Sequence, residues 1–446
     1  MDCKKKALPL QSQTIKRSVR ITVSTQDSQS CNRGSIPLPS TKETQNMRLF
    51  FYICTMSKIV IASDSFKGSL SSLEVAHAAA KGIRSIFPES EIICLETADG
   101  GEGTAATLTR ALKGTSVTAT VSDPLGRKIN ATYGIAEIHG RKTAVLEMSQ
   151  ASGLPLLSHS ERNPLLTSTY GTGEMIIDAI GRGCRRFMIG IGGSATNDGG
   201  TGMLEALGFR FMDIEGQKIT GLCGANISTI ASIDGSLVPH EVLESEFIIA
   251  CDVETPFWGP EGASAVFGPQ KGATPDTVAL LEAGMQNLGK IIIKDLGINL
   301  STVKGSGAAG GLGGAFYAFL NARLQSGIDT ILDSIGFEDA IRDADLIITG
   351  EGKIDSQTAR GKVISGISAR AQKHGIPVIA IAGIVDMDEE AIKKSGLEAV
   401  LAIGPRPQNE SDLEHAMRPE VASHNISETV SKALESLSPS LFRANP

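Results

Sequence analysis

Short aliphatic runs that end abruptly in polar, glycine-rich clusters recur along this 446-residue chain, and they restrict its fold more than any other feature. KIVIAS (58–63) runs into Asp64-Ser65, EIICLE (91–96) into ADGGEGT, RRFMIGI (185–191) into GGSATNDGG, and ADLIITG (344–350) into Glu351-Gly352. Apolar runs of this length bounded by Gly and Asp read as buried strands. Helical patterns lie between several of them. Leu73, Ala76, Ala80, Ile83 and Phe87 form a helical stripe, with Ser71 or Ser72 as cap and Pro88 as stop. His77 falls near that apolar face and reads as a structural histidine. Strand–helix alternation of this kind predicts a parallel sheet.

The rhythm then changes. TSVTATVSD, INATYGIAEI and KTAVLEM follow one another as strands with no helix between them, which predicts a mixed or antiparallel region. Helices are expected near 103–113, 172–182, 275–296 and 425–438, and in TARGKVISGISARAQKHG. The last third returns to alternation with IPVIAIAG and EAVLAIG. The expected fold class is therefore α/β. One parallel-sheet domain is discontinuous, built from residues 57–122 and 308–446, and residues 123–307 form an inserted mixed α/β domain.

Composition narrows the function classes. A net charge of −7 argues against a general nucleic-acid or membrane-surface binder and leaves a small-molecule substrate as the expected partner. Aromatics make up only 4%, so the core is expected to be aliphatic. The seven cysteines include no C-x-x-C pair, which predicts reduced thiols and a cytoplasmic setting rather than a disulfide framework or a zinc site. No run of 18 apolar residues predicts a membrane span. Residues 1–56 differ from the rest, with nine Lys/Arg against three acids and poor apolar periodicity. They read as a disordered extension; a targeting segment, a basic tail and a stretch upstream of a true start at Met56 are the competing readings.

Four strand-end clusters carry candidate chemistry, because ligands in open α/β sheets bind at the carboxyl ends of strands. In DSFKGS, Ser65 and Lys67 stand just before a helix, where an ammonium and a helix dipole both favour phosphate. In ADGGEGT, Asp99 and Glu102 bracket Gly100, Gly101, Gly103 and Thr104, a set suited to a metal-bound phosphate. GIGGSATNDGGTG is the strongest signal: Gly192, Gly193, Ser194, Thr196 and Asn197 form a polar cradle. Asp198 there suits a general base or a Mg²⁺-positioning group. No packing demand is evident for its Ser-Ala-Thr-Asn-Asp stretch between two glycine pairs. In GEGKIDSQTARGK, Glu351, Lys353 and Asp355 mix both charges, but Ser356 and Val363 break the Walker pattern. FGPQKGA presents Lys271 on a turn, and GSGAAGGLGGA (305–315) suits a hinge or close helix packing. A rival reading starts from G-x-G-x-x-A at 190–195 with Asp213 downstream, as in an NAD(P)-dependent 2-hydroxy-acid dehydrogenase. A non-catalytic anion-binding regulator is the third class.

Taken together, IVIASDSFKGSLSSLEVA, ADGGEGT, GIGGSATNDGGTGML, CDVETPFWG, FGPQKGA, GSGAAGGLGG and GEGKIDSQTARGK resemble, in order, the motifs of the bacterial-type glycerate kinase family. The resemblance implies ATP- and Mg²⁺-dependent phosphorylation of D-glycerate, with 2-phosphoglycerate favoured over the 3-isomer. It also implies a flavodoxin-like domain with a restriction-enzyme-like insert and an active site between them. Thr255 and Phe257 depart from the family's CDV-x-N-P-L pattern. On this basis Lys67 is expected to neutralise phosphate. Asp99, Glu102 and Asp198 compete for Mg²⁺ coordination and the role of base, with Asp198 favoured as the base. Arg127 or Lys271 is expected to pair with the glycerate carboxylate.

Overall fold

The computed structural model of the chain describes residues 56–98, 101, 103–355 and 362–436. Asp99, Gly100 and Glu102, together with residues 1–55 and 356–361, lie outside the described residues.

Two principal sheets organise these residues. In the first, β1 (Lys58–Ser63), β2 (Glu91–Glu96), β12 (Leu346–Asp355), β13 (Val378–Asp386) and β14 (Ala399–Ala402) pair in the spatial order β14-β13-β12-β1-β2. Every pair is parallel. Counting only this sheet's own strands, the order is 2-1-3-4-5, the flavodoxin-like arrangement, with its topological switch point between β1 and β12. Period-two alternation divides the sheet's apolar residues between two layers. Ile59, Ile61, Leu346, Ile348, Ile379 and Ile381 pack under helices α1 (Ser72–Ile86) and α11 (Pro419–Ser436). Val60, Ala62, Ile347, Val378, Ala380 and Ala382 pack on the opposite side with α7 (Gly327–Ser334), α8 (Phe337–Ile341) and α9 (Lys362–His374). Burial on both faces is why these strands read as continuous apolar runs.

The second sheet has the order β11-β10-β6-β5-β4-β3. Its strands are β3 (Thr115–Ser122), β4 (Lys128–Ile138), β5 (Arg141–Glu147), β6 (Arg186–Gly190), β10 (Glu246–Ala250) and β11 (Arg323–Gln325). The β3-β4-β5 meander is antiparallel, whereas β5, β6, β10 and β11 run parallel, so the expected change of rhythm is a mixed sheet. β3 and β11 belong to this sheet by pairing, although both fall within the residues expected for the parallel-sheet domain. Phe187, Ile189, Phe247 and Ile249 face the largest apolar cluster, with α5 (Pro275–Leu296) and α6 (Leu312–Leu320). Met188, Ile248, Val145 and Ile138 face a smaller one completed by Ala105 and Leu108 of α2 (Thr104–Ala111). A small antiparallel sheet, β7 (Arg210–Met212), β8 (Lys218–Ile219) and β9 (Ser232–Asp234), lies apart from these.

Local chemistry sets the element boundaries. Ser71 caps α1 through a reciprocal box with Glu74, whose carboxylate accepts from the Ser71 amide at 2.8 Å. β12 continues past the expected stop at Gly350, because β13 pairs with it as far as Asp355↔Asp386. His77 is exposed, contrary to its expected structural role, because Val75, Ala76, Ala79 and Ala80 occupy the buried face. Among the described residues no helix is long and apolar enough to cross a membrane.

α1 and α11 touch closely at Gly82, where a β-carbon would lie 2.4 Å from the Ser427 carbonyl oxygen. Gly82→Val is expected to lower stability by about 1–3 kcal/mol, since the helices must separate to admit it. Gly181→Ala, where a β-carbon meets nothing within 4 Å, is expected to be neutral or to stabilise, by up to about 1 kcal/mol. Urea denaturation followed by far-ultraviolet circular dichroism measures both.

Candidate active site

The switch point presents the first set of polar groups. β1 and β12 are locked together where they end: Asp64 donates its amide to the Gly350 carbonyl at 2.9 Å, and the Ser63 hydroxyl donates to the same oxygen at 2.9 Å. The Ser72 and Thr97 hydroxyls both donate to the Ser63 carbonyl at 2.7 Å, which fixes the turn leaving β1. Asp64 folds back to accept from the Ser65 amide at 2.7 Å. Lys67 stands on a tight turn closed by Phe66 and Leu70, with Gly68 at φ +78°, rather than on the first turn of α1. A groove of about 1390 Å³ opens here. Ser65, Lys67, Glu351 and Asp355 all line it, so the first and fourth sequence clusters come together. Lys353 lines it as well and pairs with Asp355 at 3.3 Å.

Sequence reasoning missed the far wall. Arg406, His415 and Asn425 face the groove from the segment after β14 and from α10 (Glu410–Ala416) and α11. A signal was present: EAVLAIG is an apolar run that enters Pro-Arg-Pro, the same strand-then-cluster pattern as the others.

The second cluster belongs to both sheets. Glu147, at the carboxyl end of β5, accepts from the Gly103 amide at 3.2 Å and the Ala105 amide at 2.8 Å. It thereby supplies the N-terminal cap of α2 from the other sheet. Gly103 stands at φ +85° and Thr104 begins the helix.

The third cluster divides. Gly192 and Gly193 are exposed beyond the end of β6, whereas Ser194, Thr196, Asn197 and Asp198 are buried. Asp198 is wholly buried, and its carboxylate accepts from the Thr169 amide (2.8 Å), the Thr169 hydroxyl (2.7 Å) and the amides of Gly200 (3.1 Å) and Gly202 (3.3 Å). The last two open α4 (Thr201–Ala206), and Thr169 precedes α3 (Tyr170–Gly181), so one carboxylate ties two helix starts together. Burial raises its pKa above the ordinary aspartate value, and the four donors oppose that shift. The structure thus places Asp198 in an interior clamp, where its carboxylate is already engaged, and not along the groove.

Lys271 is buried too. Its ammonium donates to the Thr196 carbonyl at 2.6 Å, and burial, partly offset by the Asp198 charge, lowers its pKa to about 7. The Thr196 hydroxyl and the Asn197 carbonyl oxygen are buried without hydrogen-bond partners, while the Asn197 amide donates to Ser264 at 3.0 Å. Arg127 is held in a surface hairpin by Asp123 at 2.5 Å and Glu161 at 2.6 Å.

Packing does account for much of the third cluster, contrary to expectation. A β-carbon at Gly200 would lie 2.4 Å from that of Ala315, and one at Gly310 would lie 2.1 Å from the Thr196 carbonyl oxygen. GSGAAGGLGGA is the segment that presses against it. The dinucleotide fingerprint fails here as well, because the helix after β6 begins only at Thr201.

Among the described residues, no three metal-ligating side chains converge. Mg²⁺ that arrives with a nucleotide needs only one or two protein carboxylates. Asp64, Glu351 and Asp355 on the groove wall meet that requirement.

Comparison with known proteins agrees with this architecture. Residues 59–438 match the model of the glycerate kinase family. The chain is 46% identical over 348 residues to the glycerate kinase of Bacillus subtilis, an alignment covering 78% of this chain and 90% of that one. It is 44% identical over 346 residues to the glycerate 2-kinase of Escherichia coli, covering 78% and 90%. A crystal structure assigned as glycerate kinase 2 from Salmonella typhimurium LT2 superposes with a TM-score of 0.75 at 43% identity, covering 86% of this chain and all of that one. The chain belongs to the glycerate kinase family.

Proposed function

We propose that this protein transfers the γ-phosphate of ATP to D-glycerate, forming 2-phosphoglycerate, in the cytoplasm, where the thiols of Cys94, Cys184 and Cys223 stay reduced. The observation that carries this reading is the groove at the β1/β12 switch point, where Lys67 and Lys353 meet Asp64, Glu351 and Asp355. Phosphoryl transfer requires positioning and charge stabilisation more than covalent chemistry. Lys67 neutralises the polyphosphate, with Ser65 beside it. One or two of Asp64, Glu351 and Asp355 would hold Mg²⁺, which would supply charge neutralisation to the phosphates; Asp99 and Glu102 are the other carboxylates for the same duty. Lys353 or Arg406, rather than the buried Lys271 or the engaged Arg127, takes the glycerate carboxylate. The exposed Gly192–Gly193 backbone, beyond the end of β6 in the second sheet, borders the second substrate.

Asp198 and Lys271 act as positioning residues. They hold Ser194, Thr196 and Asn197 and the starts of α3 and α4 in place. The base is then one of the groove carboxylates.

Three outcomes follow. Lys67→Ala, on an exposed turn, is expected to lower kcat/KM for glycerate-dependent ADP release about 10²–10³-fold with melting temperature unchanged. Asp198→Asn is expected to lower stability by about 1–3 kcal/mol and to keep kcat, measured well below its melting point, within about tenfold. A loss nearer 10³–10⁴ at unchanged stability would instead make Asp198 the base. For Lys271 the unfolded chain keeps its proton to about pH 10.4, while the folded chain keeps it only to about 7. Stability is therefore reduced below pH 7 and rises as pH increases above it, by at most about 1.4 kcal/mol per unit. Lys271→Met is expected to flatten that rise in urea titrations at pH 7, 8 and 9.

A further inference from the structure

The switch-point groove is larger than a polyphosphate and a three-carbon acid require. Its volume of about 1390 Å³ exceeds the roughly 300–1,000 Å³ of an ordinary small-ligand site. Along its length the groove crosses the carboxyl ends of four neighbouring strands, β14, β13, β12 and β1. Three strand spacings make this a track of roughly 14 Å. Backbone borders much of it. Gly352 and Gly383 lie side by side, since Glu351 pairs with Ala382 and Lys353 with Ile384. A β-carbon on Gly383 would come within 2.8 Å of the Gly352 carbonyl oxygen. Gly404, just past β14, continues the strip, and the Lys67 turn stands at the other end.

At the β14 end the walls become apolar. Ile403, Pro405, Leu413, Met417 and Val421 line it. Leu413 and Met417 are one helical turn apart, the Met417 amide donating to the Leu413 carbonyl at 2.9 Å. Helix α10 buries none of its residues, and Leu413 is 39% exposed, so this wall serves no core of its own. Met417 also reaches the Lys67 turn: a β-carbon on Gly68 would lie 2.7 Å from its terminal methyl. The corner between α10 and α11 therefore bounds one slot with the glycine strip and that turn. Asn425 stands one turn beyond Val421 on α11, half-buried, with its amide nitrogen 3.2 Å from where a Gly404 β-carbon would be. Among the described residues its carboxamide makes no hydrogen bond, so a donor and an acceptor are both available. Charges beside the slot are matched: Arg406 pairs with Asp386 at 3.6 Å, and Asp412 accepts from the Gln408 amide at 3.1 Å. An uncharged, flat ring suits such a place.

We propose that this end of the groove is the nucleobase subsite of the phosphate donor, and that Asn425 selects adenine. The inference rests on the kinase reading above and deepens it. The ring lies between the glycine strip and the Leu413–Met417 wall, where a thioether favours an aromatic face. A carboxamide matches the N6 donor and N7 acceptor of adenine, whereas guanine offers two acceptors, O6 and N7, on the same edge. The phosphates then run along the track toward Lys67. With the base beside Arg406, Lys353 is left for the glycerate carboxylate.

The test is isothermal titration calorimetry of the full chain in Mg²⁺ with ADP, GDP and inorganic tripolyphosphate. ADP is expected to bind roughly tenfold or more tighter than GDP. Asn425→Leu, similar in volume but without the amide, should weaken ADP about tenfold, erase most of the preference over GDP, and leave tripolyphosphate binding unchanged. Met417→Ala should weaken ADP and GDP alike, severalfold. Lys67→Ala should weaken all three ligands. Should Asn425→Leu fail to fold, Asn425→Asp, which keeps the shape and loses the donor, carries the same comparison. ADP binding that is weakened by Lys67→Ala but kept with full preference over GDP in Asn425→Leu overturns the subsite and leaves the kinase reading of the groove intact. Absence of ADP binding, or ADP binding indifferent to both Lys67→Ala and Asn425→Leu, overturns both.

Discussion

The pairing of β1 with β12 is the constraint on which the rest of the structure depends. Ile59, Val60 and Ile61 lie beside Leu346, Ile347 and Ile348, and the Ser63 hydroxyl reaches Gly350, 287 residues later. A parallel pair cannot be closed by a tight turn; it needs a crossover. Here the crossover includes a whole second sheet. Closing so long a loop costs conformational entropy before any contact offsets it. The opposing gain is burial of the aliphatic strands on both faces. The same pairing creates the switch point, so the contact that completes the fold also opens the groove.

The second sheet is attached through polar groups as well as apolar ones. Glu147 of β5 caps α2, which follows directly from β2 of the parallel sheet. Asp198 and Lys271 then stiffen the loop that leaves β6. Two buried ionisable side chains in one small region are costly unless they are satisfied. Asp198 is satisfied by four donors, while Lys271 has the Thr196 carbonyl and the nearby Asp198 charge. The arrangement holds a loop in one conformation and leaves its glycines, Gly192 and Gly193, at the surface.

Much of this was legible in the sequence. Apolar runs ending in glycine and acid gave β1, β2, β6 and β12, and their alternation with helices gave the parallel sheet. Ser65, Lys67, Glu351 and Asp355 were singled out from two distant clusters, and the structure lines one groove with all four. What the sequence concealed was depth. Asp198 and Lys271 look like exposed loop residues, because Gly, Ser, Thr and Asn flank both surface turns and buried helix caps. The approach of Gly310 and Ala315 helps to enclose that loop, and a contact made more than a hundred residues away leaves no local trace. Glu147 was missed for a similar reason: its partners are backbone amides on another element.

The account's central claim is that phosphate is handled at the β1/β12 switch point. A crystal structure of the full chain with Mg²⁺, D-glycerate and a non-hydrolysable ATP analogue tests it most directly. The account predicts the triphosphate against Lys67 and Ser65, with the metal on Asp64, Glu351 or Asp355. A triphosphate seated on Gly192 and Gly193, with the switch-point groove empty of both substrates, would contradict it.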